Sequence, residues 1–295
     1  MQRIFLFVVT NIAIMALISV VFRLFGLDGI LQSNNVDLDL KALLVLSLVI
    51  GFAGSFFSLA ISKWMAKRST GAQVITSPSN ETERWLLETV TRQAAAAGIQ
   101  TPEVAIYPSN DVNAFATGAR RNNALVAVST GLMKGMTRDE AEAVLAHEVS
   151  HVANGDMVTL TLIQGVVNSF VIFFSRILGH FIDRVVLKNE QGHGPGYFIG
   201  SIVGQILFSM LASIVVMWFS RQREFRADAG AAEIAGRGKM INALKRLQNS
   251  HTNPLPEQLA ASGIGGGGSK FGKLFMTHPR LEDRIAALEK QTNFR

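Results

Sequence analysis

Cysteine is absent from the 295 residues, which removes disulfide scaffolds, thiol nucleophiles, iron–sulfur clusters and Cys-ligated zinc. Any transition metal must therefore sit on His and carboxylates. Charge is scarce as well, 17% of residues against about 25% in ordinary soluble domains. With 48% hydrophobic residues and 19 Phe, that deficit excludes a disordered chain and argues against a purely soluble one. No internal repeat is present, and no stripe of interleaved aromatic and basic residues of the kind that binds nucleic acid. The glycine-rich stretch at residues 263–268 is followed by Ser269-Lys270 rather than Lys-Ser/Thr, so it is not a phosphate loop and no nucleotide is expected.

Four stretches carry no charged residue: 4–22, 42–62, 157–175 and 197–220. At 1.5 Å per residue each is long enough for a hydrocarbon core of ~30 Å. The first is too long for a signal peptide, and no small-residue cleavage pattern follows it, so it reads as a retained anchor. The third contains Thr159, Thr161, Gln164, Asn168 and Ser169; such residues face other helices or a wet cavity, and the segment either spans or forms an interfacial hairpin. The net charge of +6 is mostly topology. Lys63, Lys67 and Arg68 follow the second run and Arg221, Arg223 and Arg226 the fourth, which puts these ends in the cytoplasm. The connection at residues 26–40 has Asp28, Asp37 and Asp39 and no Lys or Arg. Arg176, Arg184 and Lys188 in the third connection run against this pattern.

Residues 69–156 have the composition of a folded domain. Asn80-x-x-Glu83 is a capping box opening a helix to Ala97, closed by Gly98. Residues 104–107, 113–117 and 124–129 read as strands, with Gly118 and residues 120–123 as a hairpin turn. Thr137-x-x-Glu140 caps a second helix whose apolar face is Ala141, Val144, Leu145, Val149 and Val152, ending at Asn154-Gly155. Residues 239–249 read as a helix, Pro254, Pro256 and the glycine-rich stretch as a flexible loop, and Pro279 as the start of a last amphipathic helix.

The second capped helix carries His147-Glu148-Val149-Ser150-His151. Four-residue spacing stacks two imidazoles on one face, where both reach one metal. Glu148 lies about 100° round the helix and can reach a water on that metal. This is the geometry of a zinc hydrolase. Catalytic zinc takes three protein ligands. A metzincin would need Gly and His where Asn154 and Met157 stand, so that class is excluded. A glutamate from a later helix, with an aspartate one turn on to orient a ligand histidine, fits Glu224 and Asp228; by themselves these two also read as a solvated helix face. His180, His193, His251 and His278 are poorer donors. Joining His151 to Glu224 requires an even number of crossings between them, and puts the metal within ~8 Å of the membrane interface.

The chain resembles the HtpX family of membrane-embedded zinc metalloproteases, relatives of the CAAX prenyl proteases. The resemblance rests on Ser62-Lys63-Trp64-Met65 after two spans, Asn113-Ala114-Phe115-Ala116-Thr117-Gly118, His147 to His151 with Asn154-Gly155-Asp156, Glu224 with Asp228, and His278-Pro279 with Arg284. It implies an α+β, mainly helical membrane protein with a gluzincin core and a small sheet, interrupted by a membrane hairpin. The implied organisation is two spans in 1–68, the first part of the protease in 69–156, the hairpin in 157–220 and the second part in 221–295. It also implies one zinc on His147, His151 and Glu224, with Glu148 as general base. Asn113 would line the substrate cleft, and His278 or Arg284 would meet the developing oxyanion. The family cleaves misfolded or damaged proteins at the cytoplasmic face of the bacterial inner membrane, in protein quality control under stress. Arg226 stands where some relatives have His. The competing expectation is a catalytically silent scaffold or chaperone holding zinc structurally, which would add a fourth protein donor; a transporter is disfavoured because the uncharged runs contain no carboxylate.

Overall fold

The computed structural model describes residues 39–190, 193–250 and 278–290. The run at 4–22, Asp28, Asp37, His251, Pro254, Pro256 and the glycine-rich stretch with Ser269-Lys270 lie outside these residues. The elements are α1 (Leu40–Thr70), β1 (Gln73–Val74), α2 (Glu81–Ala96), β2 (Glu103–Tyr107), β3 (Ala114–Arg120), β4 (Asn123–Ser129), α3 (Thr130–Gly135), α4 (Arg138–Asn154), α5 (Asp156–Phe181), α6 (Pro195–Ala231), α7 (Arg237–Ser250) and α8 (Leu281–Lys290). A π-helical turn prolongs α5 over Ile182–Val186, and another, Ala232–Gly236, joins α6 to α7 without a break. This is the α+β, mainly helical architecture expected. The chain divides into two compact units, one from Met1–Phe56 with Thr161–Val216 and one from Phe57–Leu160 with Met217–Arg295.

The described residues of the first unit are mainly helical. Among the described residues three helical stretches are long and apolar enough to cross a membrane, Leu40–Thr70, Asp156–Val186 and Pro195–Gln248. Small residues bring their backbones close. A Cβ on Gly51 would lie 2.7 Å from the Ser169 nitrogen and 2.9 Å from the Gly165 carbonyl oxygen, and Asn168 donates to the Ser55 hydroxyl at 3.3 Å. Asn168 and Ser169 of the third uncharged run thus face a neighbouring helix, as polar groups in apolar segments do. Gly200 meets Gly179, and Gly204 meets Ser175, in the same manner. Outward-facing Ile199, Ile202, Ile206 and Leu211 are exposed, which in water would be a large aggregation-prone patch and in lipid is the expected surface.

The second unit is built around a four-stranded sheet of order β1-β2-β4-β3, with β2 parallel to β4 and the other neighbours antiparallel. Alternation along the strands sends Val104, Val126 and Val128 to one face, where they meet Leu86 and Val90 of α2 and Leu145, Val149 and Val152 of α4. Full burial of each such side chain is worth ~1.5–3 kcal/mol. The far face of α4, through Ala143 and Ala146, packs on Met240, Ala243 and Leu244 of α7 and Ile285 and Leu288 of α8. Both caps form: Asn80 accepts from the Glu83 N–H at 2.8 Å, and Thr137 and Glu140 make the reciprocal box.

The hairpin differs from the sequence expectation. Gly118 is inside β3, not in the turn; its φ of 139° is open to glycine and accommodates the irregularity between Thr117 and Arg120. Without a Cβ it also lets the Asn123 carbonyl of the partner strand approach. Two elements, β1 and α3, are additional to those read from the sequence. The helix expected from residue 239 already begins at Arg237, directly after the π turn.

Candidate metal centre

The site lies wholly within the second unit. On α4, His147 and His151 stand one turn apart with ring centroids at 4.6 Å, and their Nε2 atoms approach to 3.1 Å. Glu224 enters from α6, with Oε2 at 3.5 Å from His147 Nε2 and Oε1 at 3.4 Å from His151 Nε2. All three residues are buried, and one ligand atom from each lies within 4.8 Å of the others. No other group of three or more His, Asp or Glu arranged to hold a metal occurs among the described residues.

What orients the imidazoles is a carboxylate behind each. His147 Nδ1 lies 2.9 Å from Asp228 Oδ1, and His151 Nδ1 lies 2.8 Å from Asp156 Oδ2. A proton on each Nδ1 donates to its carboxylate and leaves the Nε2 lone pair directed at the common centre. Asp228, one turn after Glu224 on α6, is gripped by Arg284 of α8, whose Nε and Nη2 donate to its two oxygens at 2.7 and 2.6 Å. The same guanidinium places Nη1 3.3 Å from Glu224 Oε2. Arg284 is thereby buried behind the carboxylates of Asp228 and Glu224. His278 is different: its side chain is 64% exposed, with Nδ1 at 2.9 Å from Glu224 Oε2.

Glu148 lies on the sheet side of α4, near the Ala116 backbone amide of β3, which favours the charged form of its carboxyl. That strand is the edge of the sheet. Asn113 turns its carbonyl toward β4, accepting from the Ser129 N–H at 2.9 Å, so by antiparallel alternation the backbone groups of Ala114 and Ala116 face outward. Asn113 itself is exposed, immediately before this strand. The buried Ser129 hydroxyl fixes the segment before it, donating to the Asp111 carbonyl at 2.6 Å and accepting the Leu132 N–H at 2.9 Å.

The electrostatics call for a cation. Glu148, Asp156, Glu224 and Asp228 cluster here, while two guanidinium groups, Arg284 and Arg226, pair with carboxylates of the cluster. With all four ionised and the imidazoles neutral the excess is 4 − 2 = 2 negative charges, which buried carboxylates do not carry uncompensated. The imidazoles register it. Burial alone would lower His151, yet its contacts with Asp156 and Glu224 push it up to about 9. Burial likewise opposes the charged form of His147, and Asp228 and Glu224 overcome it and raise that group. Desolvation pushes the Glu148 carboxyl up, against the pull of the two imidazoles. A divalent ion held by His147, His151 and Glu224 would supply the missing charge, and nitrogen and carboxylate donors suit one.

The structure thus brings together His147, Glu148, His151, Glu224, Asp228, His278 and Arg284, with Asn113 immediately before the strand that Glu148 lies near. His278, set aside as a metal donor on sequence grounds, is beside the Glu224 carboxylate. Asp156 and Arg226 had no assigned role; the signal for Asp156 is a carboxylate just past the glycine that ends the motif helix.

Residues 80–292 match the model of peptidase family M48. The chain belongs to peptidase family M48. It is 64% identical over 290 residues to a protease HtpX homolog of Nitrosomonas europaea, covering 98% of this chain and 99% of that one. It is 63% identical over 291 residues to protease HtpX of Thioalkalivibrio sulfidiphilus, with the same coverage of both chains. Among solved structures it is similar to S. mikatae Ste24p, with a TM-score of 0.62 and 18% identity over 83% of this chain and 58% of that one. This M48 peptidase is accordingly an HtpX-family membrane metalloprotease, and the M48 assignment implies a metal where the His–His–Glu cluster stands.

Proposed function

We propose that this M48 metallopeptidase is a zinc endopeptidase that hydrolyses misfolded or damaged membrane proteins at the cytoplasmic face of a bacterial inner membrane, as part of protein quality control under stress. The observation that carries the reading is the position of Glu148, beside the His147–His151–Glu224 cluster and near β3, the edge strand of the sheet. The membrane substrate class is supported by Glu224, which lies on α6 four residues after the uncharged run 197–220. In this proposal His147, His151 and Glu224 hold zinc, which would supply a Lewis acid for the scissile carbonyl and a lowered pKa for the attacking water.

The side chains do the rest. An extended substrate segment pairs with the outward groups of β3 near Asn113, as strands add to open edges. Glu148 takes a proton from the attacking water as its oxygen bonds to the carbonyl carbon, and delivers that proton to the amine as the C–N bond breaks. His278, exposed beside Glu224, faces the developing oxyanion; Arg284 holds Asp228 and Glu224 in place. Among the described residues three donors gather at the cluster, which supports a catalytic role over a scaffold.

The test is cleavage of a destabilised membrane protein by the zinc-loaded chain in detergent, beside Glu148→Gln. The variant should keep its metal and fold and lose ~10²–10⁴-fold in rate, the usual contribution of a positioned base. Equal cleavage by the variant removes Glu148 from the mechanism; no cleavage by the wild type favours the scaffold.

A further inference from the structure

We infer that Asp156, held by Arg226, is the positioning residue for His151, and that this pair sets how long the metal stays bound. The inference rests on the metal reading of the His147–His151–Glu224 cluster. Asp156 is 0% exposed. Its Oδ2 lies 2.8 Å from His151 Nδ1 and its Oδ1 3.4 Å from Arg226 Nη2, while its backbone carbonyl accepts from Arg223 Nη1 at 3.4 Å. A fully buried carboxylate is costly unless its partners repay it; here they are a ligand imidazole on one side and α6 on the other.

The contact exists because of one backbone residue. Five positions along a continuous helix is a rotation of about 140°, which would carry Asp156 away from His151. Gly155 interrupts the helix in the left-handed conformation, φ 65° and ψ 36°, so α5 restarts in a new direction and its first side chain folds back onto the last turn of α4. An acidic residue in a first turn would ordinarily serve the helix dipole; this one spends an oxygen on the imidazole. Arg226 is two residues from Glu224 on α6, so the segment that brings the third ligand also brings the group that orients the second ligand's carboxylate. The arrangement parallels His147–Asp228–Arg284. Both imidazoles are thereby fixed with the proton on Nδ1 and the lone pair of Nε2 inward, and loss of such a partner typically costs 10–100-fold in metal affinity.

The experiment follows zinc transfer from the full-length chain in detergent to an excess of a coloured chelator. Asp156→Ala should release zinc ~10–100-fold faster than wild type. Asp156→Asn, whose amide oxygen still accepts from Nδ1–H, should recover most of that loss. Arg226→Ala should show a smaller acceleration, and Asp139→Ala, an exposed carboxylate at the other end of α4, none. Release by Asp156→Ala at the wild-type rate, or by Asp156→Asn as fast as by Asp156→Ala, overturns the inference while leaving the metal reading intact; a wild type that binds no zinc overturns both. In ¹⁵N-histidine-labelled, zinc-loaded wild type, an exchange-protected Nδ1 proton on His151 is expected whether or not the alanine variant folds, and its absence also overturns the inference.

Discussion

Glu224 is a junction of the site: the imidazoles of His147 and His151, His278 and Arg284 all lie within 3.5 Å of its carboxylate. Replacing it with Ala leaves two imidazoles for the metal, so we expect zinc content in purified protein to fall well below one per chain. Metal analysis that finds full occupancy removes Glu224 from the ligand set. At this scale the sequence was readable wherever a role follows from helical spacing. His147 to His151 and Glu224 to Asp228 are each four residues apart, and one turn of helix brings each pair together. Asp156 and Arg226 were not readable in that way, because their meeting depends on a left-handed glycine and on two helices distant in sequence. The exposure of His278 and the burial of Arg284 were equally out of reach, since both follow from packing around α8.

Elements are tied together by Glu142 of α4, which pairs with Arg92 of α2 at 2.6 Å and with Lys239 of α7 at 2.6 Å. Burial opposes its charge, but the two cations prevail and hold its carboxyl below the ordinary value of 4.5. A lowered folded-state pKa gives stability that is present above the unfolded value and is lost as the pH falls through the folded one. Glu142→Gln should therefore be less stable than wild type at pH 7, by under about 1 kcal/mol for a partly exposed pair. The gap should close in acid, below 4.5. Thermal unfolding of both proteins across pH 3–7 checks this, and a gap that widens in acid refutes it. In the helical unit, Gly51→Leu should cost ~1–3 kcal/mol by overpacking, because the Ser169 and Gly165 backbones occupy the space. Gly54→Leu, where nothing lies within 4 Å, should change little; equal melting of the two variants would dissociate the small-residue contact from stability. The long helices and both caps were legible because periodicity and capping are local. The parallel pairing of β2 with β4, the short β1 and the course of β3 through Gly118 were not, because they are decided by partners elsewhere in the sheet.

For the whole molecule, the charge pattern makes a topological prediction, and the lack of native cysteine makes it clean to test. A single Cys at Glu190, exposed after the π turn that follows α5, should react with an impermeant thiol reagent on intact cells. One at Lys245 of α7 should not. Protection at Glu190 would place the α5–α6 connection on the cytoplasmic side and leave the hairpin interfacial. The division of the second unit into Phe57–Leu160 and Met217–Arg295 also has a consequence for biosynthesis. His151 leaves the ribosome 73 residues ahead of Glu224, roughly 4–15 s at ~5–20 residues per second, and all of α5 and most of α6 are made in between. The nascent chain therefore cannot bring Glu224 to His147 and His151 until the hairpin has been synthesised, so with the proposed ligand set the peptidase stays silent for most of its own translation.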